Sequence, residues 1–324
     1  VKQHSLAVLG GPESGKSTYL GALIDLLDQG LLPRLELDGS PEDLGALDRL
    51  ADPLRHGGYP KRTPIDLRVD LQLPLLARDD PHPPYPFVLS TGDLAGESVD
   101  RVFKDRLWSE EWDRWAACEA LLLFIRPEAA IPLPDWTRPD DPHAEWLTLR
   151  GEPVPVRGAP AEPGPDDVFG PGFVEEAPPV PPARLHDPQQ VPTALAIVEL
   201  LQLLRSRRGL QPGVRRSGAL RIALVVSAWD TLPDWQRRGP GAWLASAVPL
   251  VEDFLWSNFA PQDVRRFGLS STGGDLKTQQ GRERYQLEGG HVVWLNVQGQ
   301  VQEERDISLP LRWALLGDAA FPAE

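Results

Sequence analysis

The chain has no methionine and one cysteine, Cys118. A single thiol can neither close an intramolecular disulfide nor build a cysteine-based zinc site. Long apolar runs are missing too, and none approaches the roughly 18 residues of a membrane span. Strand-like sequence begins almost at once, with no signal-peptide pattern. The expected location is therefore cytoplasmic. A chain that lacks Met and starts at Val1 is expected to be a domain taken from a longer protein. Positive charge is scarce: 33 Lys and Arg stand against 47 Asp and Glu, for a net charge of −14. That balance disfavours nucleic acid or anionic membranes as general partners, while local basic patches remain open. The six histidines (His4, His56, His82, His143, His186 and His291) show no metal-ligand spacing. No G-x-S-x-G elbow is present, and no internal repeat is visible.

What is present begins at Gly10. Gly10-Gly11-Pro12-Glu13-Ser14-Gly15-Lys16-Ser17 reads G-x-x-x-x-G-K-S. It follows the apolar run Leu6-Ala7-Val8-Leu9 and precedes Thr18 and a stretch with helical apolar spacing. That strand, glycine-rich loop and helix is the context a phosphate-binding loop requires. Gly10 and Gly15 allow a tight turn whose N–H groups converge on phosphate oxygens. The following helix adds its positive end. Lys16 would reach the β- and γ-phosphates, and the Ser17 hydroxyl would ligate Mg²⁺.

Periodicity predicts strands at 5–10, 65–73, 87–91, 120–125, 221–226, 267–269 and 292–297. It predicts helices at 16–29, 99–116, 193–207, 241–259 and 308–316. Residues 34–64 read as mixed and polar. The strands at 65–73 and 87–91, joined through a Pro-rich turn at 80–86, should pair antiparallel. Trp108, Trp112 and Trp115 share one face of their helix, which suits packing more than a binding surface. Cys118, just before a buried strand, reads as an inert core thiol. The expected fold is α/β, with a mainly parallel sheet covered by helices on both faces. Ligand loops then lie at the carboxyl ends of the parallel strands. Residues 127–192 break this pattern. They hold 17 of the 35 prolines and carry twelve Asp or Glu against four Arg. They read as an insertion in a single domain, serving as a solvated linker or as a docking segment for a partner.

Four candidate motifs, at 10–17, 93–97, 227–230 and 270–272, all follow predicted strands. Their order and spacing resemble the Ras-like, translation-factor-related (TRAFAC) class of P-loop GTPases. Within that class the chain looks most like the bacterial double-GTPase type domains encoded alongside conflict or defence proteins. The resemblance implies that Asp93 holds Mg²⁺ through water and that Gly96 offers its N–H to the γ-phosphate. Glu97 stands where many members have a Gln that orients the attacking water. A carboxylate accepts from water but cannot donate to the phosphoryl group, so slow catalysis is implied. Thr63 is the best placed residue to complete the Mg²⁺ shell, ahead of Ser40. Lys61 or Arg62 can supply transition-state charge, or form a solvated turn. Ser227-Ala228-Trp229-Asp230 lies where the class reads the base. Asp230 can accept from guanine N1–H and N2–H₂, and it also suits a helix N-cap before Thr231. Ser227 can brace the loop, Ala228 lacks the usual Lys stem, and Trp229 can stack instead. Ser270 and Ser271, with Thr272, resemble the last base-contacting loop. The resemblance thus implies GTP and GDP as ligands, Mg²⁺ as cofactor and slow hydrolysis as a switch. It also implies a protein partner or activating protein, and it allows a homodimer. A nucleotide-gated scaffold and an ATPase are the other readings of the same residues.

Overall fold

The computed structural model describes residues 2–41, 43–60, 69–78, 85–93, 110–131, 191–211, 213–215, 217–296 and 298–321. They belong to one unit made by residues 1–132 and 191–324. Thr63, Gly96, Glu97, Lys61, Arg62 and Trp108 lie outside the described residues, as does most of the 127–192 stretch. Its two ends are described and meet. The Ile131 N–H donates to Thr193 Oγ1 at 2.8 Å, and the Thr193 N–H donates to Ile131 O at 3.1 Å. The chain leaves and re-enters this unit at one point.

The described strands form one nine-stranded sheet in the order β2-β3-β4-β1-β5-β6-β7-β8-β9. They are β1 (Lys2–Gly10), β2 (Leu35–Leu37), β3 (Val69–Ala77), β4 (Tyr85–Asp93), β5 (Ala120–Ile125), β6 (Arg221–Ser227), β7 (Val264–Ser270), β8 (His291–Leu295) and β9 (Val301–Glu304). From β4 to β7 every pairing is parallel. β3 runs against β4, as expected of neighbouring strands joined by a short turn, and its buried side runs through Leu71, Leu73, Leu75 and Ala77. A second reversed strand, β8, joins the other end of the sheet. All six residues of β5 are buried, as a strand covered on both faces must be.

Helix α1 (Lys16–Asp28) and α2 (Leu44–Arg55) lie together on one face of the sheet. α2 falls in the stretch read as polar. Beside Asp48, Asp52 and Pro53 it carries an apolar stripe of Ala46, Leu47, Leu50, Ala51 and Leu54, all buried. Asp43 caps it, accepting the Ala46 N–H at 2.9 Å. The two helices pack so closely that a Cβ on Gly21 would lie 2.3 Å from Leu50 O. Asp25 of α1 is 1% exposed and still paired: Arg55 Nε donates to it at 2.8 Å and the Tyr285 hydroxyl at 2.7 Å.

The opposite face carries α3 (Glu110–Ala117), α4 (Thr193–Arg207), α5 (Pro240–Ala247) and α6 (Pro249–Asn258). Trp112 and Trp115 are buried there, so these two indoles are packing residues. The single helix expected over 241–259 is two. Val248 takes φ −137° and ψ 56° between them, because Pro249 disfavours helical geometry in the residue before it. α7 (Gln279–Glu288) and β9 both lie in sequence too polar to show a period. α8 (Leu309–Leu316) closes the fold. Burial pushes the Cys118 thiol up to about 11, which keeps it protonated and unreactive.

Candidate functional site

The parallel register sets where the loops emerge. Val8 is level with Asp93, Gly10 with Phe124, Ile125 with Val226, and Ser227 with Leu269. The carboxyl ends of β1, β4, β5, β6 and β7 therefore share one edge. That edge gathers the Gly10–Ser17 loop, the backbone of Asp93, residues 227–230 and residues 270–272. Topology alone achieves this, since sequence separates these groups by more than 250 residues.

The first loop is shaped by steric limits. Gly10 has φ +153°, and a Cβ there would sit 2.5 Å from Phe124 O and 2.7 Å from Ser14 Oγ. Gly15 has φ +91° at the start of α1, with Ser227 Oγ 3.1 Å from the place of its missing Cβ. Between them Pro12 is half-buried, while Glu13 takes φ 58° and is exposed. Successive left-handed and right-handed residues curl a backbone into an anion-binding concavity. The Tyr19 N–H is the first to bond back along α1, to Gly15 O at 2.9 Å, so the helix opens toward the loop. Ser17 and Thr18 lie in that first turn, half-buried.

Lys16 folds into the concavity. Its ammonium is buried, and it donates to Gly10 O and Gly11 O at 3.0 Å each and to Ser14 Oγ at 3.2 Å. A buried cation on a cage of neutral oxygens, beside a helix N-terminus, is a strong electrostatic trap for a polyanion.

Ser227 ties the second motif to the first, its hydroxyl donating to Ser14 O at 2.7 Å in a buried bond. Ser227→Ala should lower stability by about 1 kcal/mol. It should also raise the dissociation rate of a fluorescent nucleotide several-fold, as stopped flow would read. Ala228, in the left-handed region at φ 50°, turns the chain so that Asp230 stands half-buried in a short 3-10 turn, Trp229–Thr231. No side chain caps that turn. Trp229 is 2% exposed, its ring packed over Gly268, where a Cβ would come within 2.4 Å. Its indole has no open face for a base, so the stacking expected of it does not occur in this arrangement.

Ser270 and Ser271 are buried beside this turn, and Ser270 Oγ has no hydrogen-bond partner among the described residues. Thr272 Oγ1 donates to Gly274 O at 2.8 Å. Two further residues border the site without having signalled themselves in the sequence. His291 is level with Ser270 across the β7–β8 pair. Burial holds its imidazole below the ordinary range, while Glu303 and Asp230 pull the other way. Its proximity arises only because β8 doubles back. The Tyr59 hydroxyl accepts the Leu276 N–H at 3.0 Å and donates to Asp275 at 3.1 Å, buttressing the loop after β7.

Among the described residues no three His, Cys, Asp or Glu cluster to hold a metal. By residue type, Ser17 brings a hydroxyl and position 93 an aspartate, hard oxygen donors of the kind that suit Mg²⁺. Mg²⁺ usually takes one or two carboxylates and completes its shell with water and substrate phosphates. The donor types therefore fit.

A profile of the family described as Double-GTPase 1 matches residues 7–314. No curated protein matches the sequence. Among solved structures, a bacterial selenocysteine-specific elongation factor, EF-Sec, is similar over 89% of this chain, at 12% identity and a TM-score of 0.34. This chain spans only 29% of that factor's length. The signal recognition particle receptor SRb–GTP/SRX complex from Chaetomium thermophilum is similar over 83% of this chain and 91% of its own, at 11% identity and a TM-score of 0.34. At such scores neither likeness says anything of function. No described helix is long and apolar enough to cross a membrane.

Proposed function

The chain belongs to the Double-GTPase 1 family, and on that premise we propose that it binds GTP with Mg²⁺ and hydrolyses it to GDP and phosphate. One observation carries this reading: the Lys16 ammonium buried in the Gly10–Ser17 loop, with that loop braced through Ser14 to Ser227. The terminal phosphates replace the Gly10 and Gly11 carbonyls as acceptors for Lys16. Loop N–H groups and the start of α1 then meet the charge that builds on the γ-phosphoryl group during in-line attack by water. A bound Mg²⁺ would supply charge neutralisation to the phosphates. Ser17 and Asp93, with Thr63, would hold it. Gly96 would sense the γ-phosphate, and Glu97 would orient the water.

Asp230 supports guanine over adenine. Guanine offers two N–H donors to one carboxylate, whereas adenine would leave that carboxylate unpaired. Asp230→Asn should weaken GTP binding roughly 10- to 100-fold and leave ATP binding unmoved. Competition of both nucleotides for a fluorescent analogue measures this, and tighter ATP binding by the unsubstituted protein would refute the guanine assignment.

Turnover is proposed to be slow, because Glu97 cannot donate as an amide does. An activating protein partner can raise such rates by roughly 10⁵-fold where it supplies an arginine. Slow turnover suits a switch, and only the resemblance to double-GTPase domains encoded beside conflict or defence proteins supports that setting for it. A nucleotide-gated scaffold with little hydrolysis is the second reading, and the buried Trp229 beside Ala228 favours it, since the base pocket lacks its usual apolar stem. Single-turnover γ-phosphate release separates the two.

A further inference from the structure

Away from the nucleotide edge, an open groove of about 260 Å³ lies between α1, α2 and the end of β2. Ile24, Leu27, Leu37, Leu44, Leu47 and Leu73 form its apolar walls. Leu44 is 60% exposed, unusual for a large apolar residue at the head of a helix. The groove falls below the roughly 300–1,000 Å³ of drug-sized ligand pockets, so it is sized for a side chain rather than a cofactor.

The groove adjoins the outermost strand of the sheet. β3 uses only the inner edge of β2: the Asp38 N–H donates to Pro74 O at 2.8 Å and the Arg78 N–H to Arg34 O at 3.0 Å. Backbone direction alternates along an antiparallel strand. Arg34, Glu36 and Asp38 thus face β3, and the N–H and C=O groups of Leu35 and Leu37 face outward. Among the described residues no strand pairs with that outer edge. Leu35 and Leu37 lie opposite Ala77 and Leu75, and all four side chains belong to the α1–α2 side of the sheet. A strand added along β2 would set alternate side chains on that same side, next to Leu37 and over the groove.

Charge selects the occupant further. Arg55, at the groove, faces four carboxylates: Asp25 at 2.8 Å, Asp28 at 3.1 Å, Asp48 at 3.6 Å and Asp52 at 3.2 Å. Asp28 and Asp48 line the mouth and are 65% and 60% exposed. One guanidinium among four carboxylates leaves negative charge in excess there.

We propose that the β2 edge and this groove dock an extended, basic segment of a protein partner. The segment pairs with Leu35 and Leu37 as an added strand, buries one leucine-sized side chain against Leu37, Leu44 and Leu47, and sets Lys or Arg beside Asp28 and Asp48. The site is independent of nucleotide chemistry and stands or falls apart from it.

Fluorescence anisotropy of a labelled Thr-Lys-Thr-Leu-Thr-Lys-Thr peptide with the full chain tests this. The peptide places Leu and its two Lys on one face of a strand. Saturable binding is expected, weakened about tenfold or more by Leu44→Asp and by Asp48→Lys. Both positions are exposed, and an unchanged melting curve would show that folding is intact. Exchanging Lys for Glu in the peptide, or N-methylating its pairing-edge amides, should weaken binding equally. No binding up to about 1 mM, or binding indifferent to both substitutions, would overturn the proposal. So would self-association that Leu44→Asp abolishes, because the occupant would then be a second copy of this chain.

Discussion

Lys16→Ala is expected to reduce single-turnover γ-phosphate release by about 10²- to 10³-fold, the scale seen when one donor to a transition-state oxyanion is removed. Two effects combine. The ammonium is buried, so its field on a bound phosphate is poorly screened. Its acceptors are the Gly10 and Gly11 carbonyls and Ser14 Oγ, neutral groups from which a bound phosphate would take the cation over. GTP affinity should fall less than the rate, because loop N–H groups and the start of α1 still bind the phosphates. Lys16→Arg is not a conservative alternative, since a planar fork does not fit a cage drawn to 3.0 Å around a point charge. Quenched release of labelled phosphate, with circular dichroism to verify folding, reads the outcome. Equal rates for the two proteins would eliminate hydrolysis at this loop and leave the scaffold reading.

The turn at Gly10–Ser17 between β1 and α1 was legible because its signal is local: eight consecutive residues state their own geometry. The central strands were legible for a related reason, since Ala120–Ile125 and Arg221–Ser227 are apolar enough to require burial on both faces. α2 has the spacing of a helix at Ala46, Leu47, Leu50, Ala51 and Leu54, but Pro53 inside it and the breakers Gly57, Gly58 and Pro60 just after it read as loop. α7 buries little besides Tyr285, whose hydroxyl answers Asp25 of α1, 260 residues away. No window of sequence contains that bond. Trp229 shows the same limit at the site. Its position in the motif suggested a stacking surface, but Gly268, on a different strand, leaves a space that the indole fills. The aromatic next to Asp230 is thereby committed to the core. His291 comes within electrostatic range of Asp230 because β8 reverses direction, and the polar sequence between β7 and β8 does not announce that reversal.

The largest stability loss is expected from Arg312→Ala, although Arg312 touches none of the loops. Arg312 and Asp306 are both 0% exposed and pair at 3.0 Å. Ser308 Oγ and Ala320 O accept from the same guanidinium at 3.1 and 2.9 Å. Breaking such a pair leaves a buried carboxylate uncompensated, at about 3–5 kcal/mol. In a domain this size, that lowers the thermal midpoint by roughly 5–10 °C. Asp306→Ala should cost a similar amount. Joint replacement by Leu at 306 and Met at 312 should cost much less than the sum, since the desolvated charges are removed together. A double-mutant cycle by calorimetry measures the difference, and additive losses would show that the residues act separately. The consequence extends to the phosphate loop. Tyr19, one turn beyond Lys16, is wholly buried near Asp306 and Arg312, and its ring lies 5.3 Å from that of Phe124. Phe124 is the residue whose carbonyl leaves Gly10 no room for a side chain. Losing the ion pair loosens the seat of α1 and so the position of Lys16. Arg312→Ala should therefore also speed nucleotide release at temperatures well below its melting point, while the doubly apolar variant, which refills the same space, should restore retention.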